Sequence, residues 1–584
     1  MLGLSQRGEA TCHPIGTFRI VETPESVIDV VVEYRLKQVR QELEEAKQEL
    51  PEHTFDPDDK EAHERYEDFY LDHYFLDYER YLYVLKNKDR YLDRLPHEPP
   101  EIRFYFNEIH SFRMKPTREA WLEYLRKAVS DFYAFLTKDI PLLLPDQETK
   151  EHTYIVAATG AGKSTLLKKL IWSYMTNTNA AIVIIEPTGE LSREVAEFKE
   201  FAEGDRLVYL AGDLDLQQTF CINPFEIPGI DPSVTSPEAL RMKRVMADEI
   251  YEALSEIIGE GEGGTFSINM QALLKPCIVA LLDYPGATLR ELKRFMDKGD
   301  NQDLVQFAKT LLHHDDLPSF FMRDFHREHY TMTKNGISAK LQILFGTGTF
   351  AQLTCGNSTV NIEREIEQRK VIIFDLNKAV VGGAGAPFGR LIVSMLKGIA
   401  TRRARIEKDI RVPTHVIIDE CSNYICPSIR EIIQEKRKFL MMLTLCQTEV
   451  GAAMPQAVKS AVTGSTNIKL MGPIGADHWS SLASLVNLRR EEFEDLRVGE
   501  FYLSFGRANP TIKFKTGTEF LGNAHSMTSA HWKKVRARQL ERYYRPVRPL
   551  IEVIPPERAE RPRAAVRTRR AVEVTDVHIE EDVI

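Results

Sequence analysis

The 584-residue sequence lacks the features that mark membrane, secreted and zinc-finger proteins. No apolar run approaches the ~18 residues that a membrane-spanning helix needs, and the N-terminus shows no signal-peptide pattern. The seven cysteines form no CxxC pair and have no histidine partners, which favours reduced thiols over disulfides or a zinc site. We therefore expect a soluble, cytoplasmic protein with no integral membrane segment.

A strong positive charge is also missing. The formal net charge is −10, with 43% hydrophobic and 28% charged residues. These values are typical of globular proteins and argue against a wholly basic nucleic-acid coat. A ring with a locally basic channel remains compatible with them.

Composition changes along the chain predict several domains. Residues 1–150 read as a mainly helical N-terminal domain, and tyrosines share one face of its long helix, at Tyr66, Tyr70, Tyr74, Tyr78 and Tyr81. That face either packs into a core or docks a partner. Residues 232–344 predict an all-helical insertion. Residues 521–584 are rich in arginine and proline and predict a disordered tail.

The remaining segments, 151–231 and 345–520, predict an α/β core. Their apolar runs are short and nearly unbroken, at residues 154–156, 182–185, 371–374, 416–418 and 440–445. Such runs are typical of parallel strands covered by helices on both faces.

The first of these runs leads into a glycine loop and then an apolar helix. This strand–loop–helix context is the one that a phosphate-binding loop requires. The loop residues are Thr159, Gly160, Ala161, Gly162, Lys163, Ser164 and Thr165. We expect Lys163 to reach the β- and γ-phosphates of ATP and Ser164 to ligate Mg²⁺. Ala157 stands where the usual pattern has its first glycine, and it can be tolerated if its backbone dihedrals are ordinary.

A second motif lies at the end of the strand predicted over 416–418. Asp419 and Glu420 follow that strand, so both carboxylates should lie at the sheet edge that carries the phosphate loop. We expect Asp419 to hold Mg²⁺ and Glu420 to polarise the attacking water. Gln447 ends the next strand and either contacts the γ-phosphate or caps the strand. Arg437 precedes that strand and is either an arginine finger for a neighbouring subunit or a helix-end cation.

The order of these motifs resembles the HerA–FtsK superfamily of hexameric DNA-pumping ATPases, and most closely the type IV coupling proteins. The stretches that carry the resemblance are 158–164, 184–191, 222–225, 419–420, 435–438 and Gln447. Glu186 and Thr188 depart from the Asp and Lys of the family's second-strand signature. Coupling proteins usually begin with membrane helices, which are not evident here.

The resemblance implies a RecA-like core and a ring, hexameric in the family, that uses ATP and Mg²⁺ to move DNA. It favours a membrane-free coupling protein that brings a relaxase–DNA complex to a secretion channel, with peripheral recruitment to the inner membrane as one arrangement. A soluble HerA-like motor paired with a nuclease, in end processing, phage defence or genome packaging, is the alternative. A non-translocating ATP-dependent scaffold is a further one. Glycines at 382–385, before Arg390, form either a DNA-facing channel loop or a plain surface loop.

Overall fold

A computed structural model describes residues 12–19, 138–259, 266–346, 348–505, 511–522 and 524–547. The predicted tyrosine helix and the last part of the tail, residues 548–584, lie outside the described residues. The strands are β1 (Cys12–Phe18), β2 (Ile140–Pro145), β3 (Thr153–Val156), β4 (Ala181–Glu186), β5 (Leu207–Ala211), β6 (Gln218–Thr219), β7 (Val371–Asp375), β8 (Thr414–Ile418), β9 (Met441–Gln447), β10 (Ile468–Met471), β11 (Glu500–Phe505), β12 (Ile512–Lys515) and β13 (Arg545–Pro546).

The helices lie between and around these strands. They are α1 (Asp146–Thr149), α2 (Lys163–Asn177), α3 (Glu190–Ala196), α4 (Pro237–Ile258), α5 (Ile268–Leu282), α6 (Leu289–Met296), α7 (Gln302–Lys309), α8 (Leu317–Ser319), α9 (Tyr330–Phe345), α10 (Thr349–Thr354), α11 (Ile362–Glu367), α12 (Lys378–Val381), α13 (Gly385–Arg402), α14 (Pro427–Glu431), α15 (Gln456–Ser465), α16 (Trp479–Val486) and α17 (Ser529–Tyr543). A π-helical stretch (Ile432–Lys436) and a 3-10 turn (Arg437–Phe439) extend α14 toward β9.

One 11-stranded sheet organises the core, in the order β2-β1-β12-β11-β10-β3-β9-β8-β4-β7-β5. From β10 to β5 neighbouring strands pair in parallel, whereas β11, β12, β1 and β2 add antiparallel pairs. The predicted α/β fold with a parallel central sheet is confirmed. Every residue of β3, β4, β7, β8 and β9 is buried, as expected for strands covered on both faces.

Two segments assigned from sequence to the helical N-terminal region are strands instead. β1 and β2 pair with each other, and β1 joins the main sheet through β12. Gly16 makes this junction possible, because a Cβ there would lie 2.1 Å from the backbone oxygen of Lys515. The ATPase sheet therefore takes in chain from before residue 20, which the short and mixed sequence of β1 did not signal.

The residues described between α4 and α9 form helices, and the asparagine–proline turn at Asn223 ties this helical insertion to the core. The Asn223 side chain donates to the carbonyl of Ala287 in the insertion (2.8 Å), and its backbone N–H donates to Ser358 (2.9 Å). Asn223 therefore contacts both the insertion and the chain segment that follows the insertion. Arg402 of α13 adds ion pairs to Glu249 of α4 (2.5 Å) and to Glu363 (2.8 Å).

The prediction of a disordered tail from residue 521 is wrong for residues 524–547. Helix α17 packs along β5, where Gln539 accepts from the N–H of Tyr209 (2.9 Å) and donates to the carbonyl of Leu207 (3.1 Å). The Tyr544 hydroxyl accepts from the N–H of Ala211 (2.8 Å). An edge strand exposes unpaired backbone groups, and this segment satisfies them. The arginine-rich composition suggested a disordered segment, whereas the arginines of this helix also contact the core.

Within the described residues, one stretch, Lys378–Arg405, is long and apolar enough to cross a membrane. It contains α12 and α13, and 56% of its most apolar window is buried inside the protein. That burial is the behaviour of a core helix.

Candidate nucleotide site

The phosphate loop links β3 to α2 at the carboxyl edge of the parallel strands. Gly160 and Gly162 have φ of 78° and 97°, the left-handed region that a side chain disfavours. A Cβ on Gly162 would also lie 3.1 Å from the Cα of Gly499, which packs behind the loop. Helix α2 begins at Lys163, so its first N–H groups and the positive end of its dipole face the loop opening. Thr159, Gly160 and Ser164 are exposed or half-buried at this opening, which suits a phosphate chain.

Ala157 fits in place of the usual first glycine for a visible reason. Its φ is not positive, and its side chain is fully buried. A Cβ on Gly472 would lie 2.8 Å from the Cβ of Ala157, so the missing side chain on the neighbouring segment makes room for the methyl group.

The acidic pair lies at the predicted edge of the sheet, beside the loop lysine. Lys163 Nζ lies 2.7 Å from Asp419 Oδ1 and 3.5 Å from Glu420 Oε2. Burial lowers the pKa of Lys163, but the charge of Asp419 and its neighbours outweighs it, and the net pKa is raised. The lysine is therefore a firm cation, available to phosphate oxygens. A hydroxyl at Ser164 and a carboxylate at Asp419 are the oxygen ligands that Mg²⁺ prefers, so these two residues would hold the ion.

Glu420 is held by residues that sequence reasoning missed. Its Oε1 accepts hydrogen bonds from Ser422 (3.0 Å) and Thr448 (3.2 Å). Glu420 itself has φ of 44°, a conformation that non-glycine residues adopt only where surrounding contacts enforce it. No sequence pattern marks Thr448, which simply follows the strand-end Gln447. These contacts aim the carboxylate into the site.

Gln447 lies at the end of β9, but its side chain is engaged away from the acidic pair. It is fully buried; its oxygen accepts from the Tyr154 hydroxyl (2.8 Å), and its amide donates to the carbonyl of Ala452 (2.9 Å). The Tyr154 hydroxyl also accepts from the N–H of Gly451 (3.0 Å). Gln447 thus fixes the loop that carries Thr448, and Thr448 is the residue of this strand end that reaches Glu420.

Arg437 lies at the opposite edge of the sheet. It precedes β9, whereas the phosphate loop follows β3, and these two strands pair in parallel. Since β9 has seven residues, at ~3.3 Å each the two edges are about 20 Å apart. The Arg437 side chain is half exposed and pairs with Glu151, just before β3. Within its own chain, Arg437 is therefore not part of the nucleotide site.

The departures in the second-strand signature have a structural role. Glu186 is fully buried and accepts from the N–H groups of Thr188 (2.7 Å) and Gly189 (2.6 Å). It therefore shapes the turn into α3. Asp375 is the register partner of Glu186 on the neighbouring strand β7. It is buried, and desolvation is the main reason why its pKa is raised to about 6.

The glycine segment at 382–385 forms a 3-10 turn and the start of α13, with Gly382 and Gly383 exposed.

Part of the chain matches a known protein family. Residues 136–381 match the family model of the helicase HerA central domain. No curated protein matches the chain. Among solved structures, the bacterial conjugative coupling protein TrwBdeltaN70 is 14% identical, with a TM-score of 0.44, over 64% of this chain and 86% of that chain. VirB4 of Thermoanaerobacter pseudethanolicus is 17% identical, with a TM-score of 0.41, over 65% and 91%.

A smaller protein matches only part of the chain. The genome packaging NTPase B204 from Sulfolobus turreted icosahedral virus 2 is 15% identical, with a TM-score of 0.21, over 27% of this chain and 72% of that chain. The HerA family match contains the whole phosphate loop, and the described core supplies the acidic pair beside it. The chain is therefore a P-loop ATPase whose residues 136–381 match the helicase HerA central domain.

Proposed function

We propose that the chain is an ATP-driven DNA translocase that works as a ring of identical subunits, hexameric by family resemblance. The observation that carries the proposal is the contact of Lys163 with Asp419 and Glu420 at the mouth of the phosphate loop. A pure nucleotide switch can lose its hydrolytic groups. This chain keeps them and orients Glu420 with additional hydrogen bonds.

Each residue has a defined task in hydrolysis. Lys163 and the N-terminus of α2 bind the β- and γ-phosphates. Ser164 and Asp419 would hold Mg²⁺, which would neutralise charge on the phosphate oxygens. Glu420 takes the proton of the attacking water, and Ser422 and Thr448 keep its carboxylate in position.

The location of Arg437 supports the proposed ring. Because this guanidinium lies at the far edge of its own sheet, it can serve a γ-phosphate only in a neighbouring subunit. Guanidinium groups suit that task, since they stay charged and can contact two phosphate oxygens at once. Its pairing with Glu151 then holds the side chain ready at the surface until a neighbour's nucleotide replaces the carboxylate.

DNA-dependent turnover tests the proposal. Steady-state ATPase should rise when single- or double-stranded DNA is added, and ATP should drive displacement of a bound oligonucleotide from a longer DNA. The Lys163→Ala protein should do neither while remaining folded. Assembly with ATP, without DNA stimulation and without displacement, would instead favour an ATP-dependent scaffold.

Two uses of such a motor remain distinct. As a coupling protein, the leading proposal from the motif order, it would bind a relaxase joined to single-stranded DNA and act in the cytoplasm or peripherally at the inner membrane. The motif resemblance leaves a second candidate, a soluble HerA-like motor that works with a nuclease, and the match to the helicase HerA central domain supports the HerA-like part of it. ATPase stimulated by a relaxase–DNA conjugate beyond DNA alone would support the first. Activation of a co-expressed nuclease on DNA ends would support the second.

A further inference from the structure

The helical insertion brings two histidines and an aspartate together, away from the nucleotide site. Asp283 caps the C-terminus of α5, and His313 and His314 follow α7. His314 Nε2 lies 2.7 Å and His313 Nε2 lies 3.0 Å from the same oxygen, Asp283 Oδ2. The three atoms converge within 4.8 Å of one another. We propose that Asp283, His313 and His314 form a binding site for a transition-metal dication of the zinc class.

The donor set matches that chemistry. Two imidazole nitrogens and one carboxylate oxygen are a common protein ligand set for zinc, with a fourth position left for water. Ligands at ~2.0–2.1 Å from a tetrahedral zinc lie about 3.4 Å from one another. The separations of the two nitrogens from the carboxylate oxygen, 3.0 and 2.7 Å, are about 0.4 and 0.7 Å shorter, so side-chain rotations would open the space for an ion.

Burial leaves one side of the cluster accessible. The Asp283 and His314 side chains are 3% and 8% exposed, whereas His313 is 25% exposed. A metal ion can therefore enter past His313 while the other two ligands stay fixed. This combination of a rigid interior and one open side is what a preformed metal site requires.

Neutralising the charge of Asp283 does not require the two histidines. The other carboxylate oxygen of Asp283 already pairs with Lys243, which is almost fully buried. Lys243 also donates to the carbonyls of Pro232 (2.6 Å) and Val234 (2.9 Å). The lysine therefore neutralises Asp283 and fixes its orientation, so that the second oxygen faces the imidazoles. A partner on the far oxygen is the usual way in which a ligating carboxylate is held.

Bound metal would join two parts of the insertion that are distant in sequence. It would link the end of α5 to the turn after α7, beside α4 through Lys243. The expected consequence is a metal-dependent gain in stability of the insertion, without a role in the nucleotide site.

Metal analysis tests the proposal directly. The full-length protein, stripped with EDTA and then equilibrated with zinc chloride, should retain one zinc ion per chain after gel filtration. Cobalt substitution should give the visible absorption of a tetrahedral site. His314→Ala and His313→Ala should each lower zinc affinity about tenfold or more, and the His329→Ala control, an exposed histidine in the same insertion, should not.

Thermal stability gives a readout independent of metal counting. Zinc should raise the Tm of the unaltered protein and of His329→Ala but not of His313→Ala, whose partly exposed side chain makes it the variant least disruptive to folding. Absence of stoichiometric zinc, or equal zinc binding by His314→Ala and His329→Ala, would overturn the proposal in favour of a plain ion-pair network.

Discussion

The two edges of the central sheet differ in a way that bears on how the ATPase works. At the carboxyl edge, Lys163, Asp419 and Glu420 touch one another behind an open phosphate loop. At the amino edge, Arg437 extends into solvent and contacts Glu151. Among the described residues, Lys163 is the cation in contact with the acidic pair. In the proposed ring, one chain carries the hydrolytic groups and the candidate finger on opposite edges of its sheet, and a neighbouring subunit brings the two together.

The largest expected effect comes from replacing Arg437 at the amino edge of the sheet. Arg437→Ala should lower ATPase turnover by ~10³ or more in assembled rings, because the developing charge on the γ-phosphate loses its guanidinium. Arg437→Lys should fail as well, since an ammonium cannot contact two oxygens in a fixed plane. Steady-state ATPase assays check this at a protein concentration where assembly is verified.

The neighbouring exposed cation provides the control for that prediction. Lys438→Ala removes a charge one residue away and should leave turnover nearly unchanged. If Arg437 only stabilises the helix end, its loss costs under ~1 kcal/mol and Arg437→Lys is harmless.

Glu420→Gln removes the proposed base at the carboxyl edge of the sheet. This variant should bind ATP normally but turn over about 10²–10⁴-fold more slowly, because the water loses its base while the phosphate loop stays intact. Lys163→Ala should weaken binding as well. Nucleotide-binding titrations beside ATPase assays separate the two variants. Near-normal turnover by Glu420→Gln would remove this residue from the role of base.

A buried histidine makes the amino edge sensitive to acid. His152 Nδ1 accepts from the N–H of Leu443 (2.9 Å), and burial together with the charge of Arg437 lowers its pKa to about 4. The unfolded chain, with a pKa near 6.5, binds the proton more readily, so stability falls as pH drops from about 6.5 toward 4. The loss approaches about 3 kcal/mol at the acid end.

Thermal unfolding at several pH values measures that effect. His152→Gln should flatten the fall in Tm between about pH 6.5 and 4.5 relative to the unaltered protein. An unchanged pH profile in the variant would assign the acid sensitivity to other groups.

A smaller effect is expected from Thr448, which donates a hydrogen bond to Glu420. Thr448→Val removes one hydrogen bond to this carboxylate, worth ~1 kcal/mol, and should lower kcat about fivefold with little change in KM. Thr448→Ser should restore the rate, because the hydroxyl returns. A defect that serine does not rescue would point to packing of the β9 loop.

The smallest expected effect concerns the C-terminal arginines. Truncation after Val547 removes only residues beyond the segment that packs along β5. It should lower the slope of log DNA affinity against log salt by ~0.9 for each DNA phosphate that these arginines neutralise in the full chain. Basal ATPase should stay the same. Truncation after Thr528 also removes α17 and should lower Tm. An unaltered salt slope in the shorter deletion would show that these arginines do not touch DNA.

The sequence predicted the nucleotide half of the molecule well because local patterns encode it. Unbroken apolar runs marked the buried parallel strands, and the loop and acidic motifs each sit directly after one of them. The antiparallel extension through β1 and β2 was missed, since short strands in mixed sequence carry little periodic signal. The packing of α17 on β5 was missed because arginine-rich composition resembles a disordered tail, whereas Gln539 and Tyr544 act through distant backbone groups.

Site detail beyond the motifs depends on tertiary contacts. No local pattern indicated that Gln447 would be engaged by Tyr154 and that Thr448 would reach Glu420 instead. The compensation of Ala157 by Gly472 likewise joins segments that lie far apart in the sequence. The residues that position other side chains became visible only in the fold, whereas the residues expected to contact phosphate were predicted from the sequence.

Subunit mixing tests whether the two edges complete one site between neighbours. Lys163→Ala and Arg437→Ala proteins, each inactive alone, are co-assembled into rings whose mixed composition is verified by native mass spectrometry. We expect partial recovery of ATPase, because some interfaces then pair an intact phosphate loop with an intact arginine. No recovery in verified mixed rings would contradict it and leave Arg437 outside the catalytic site.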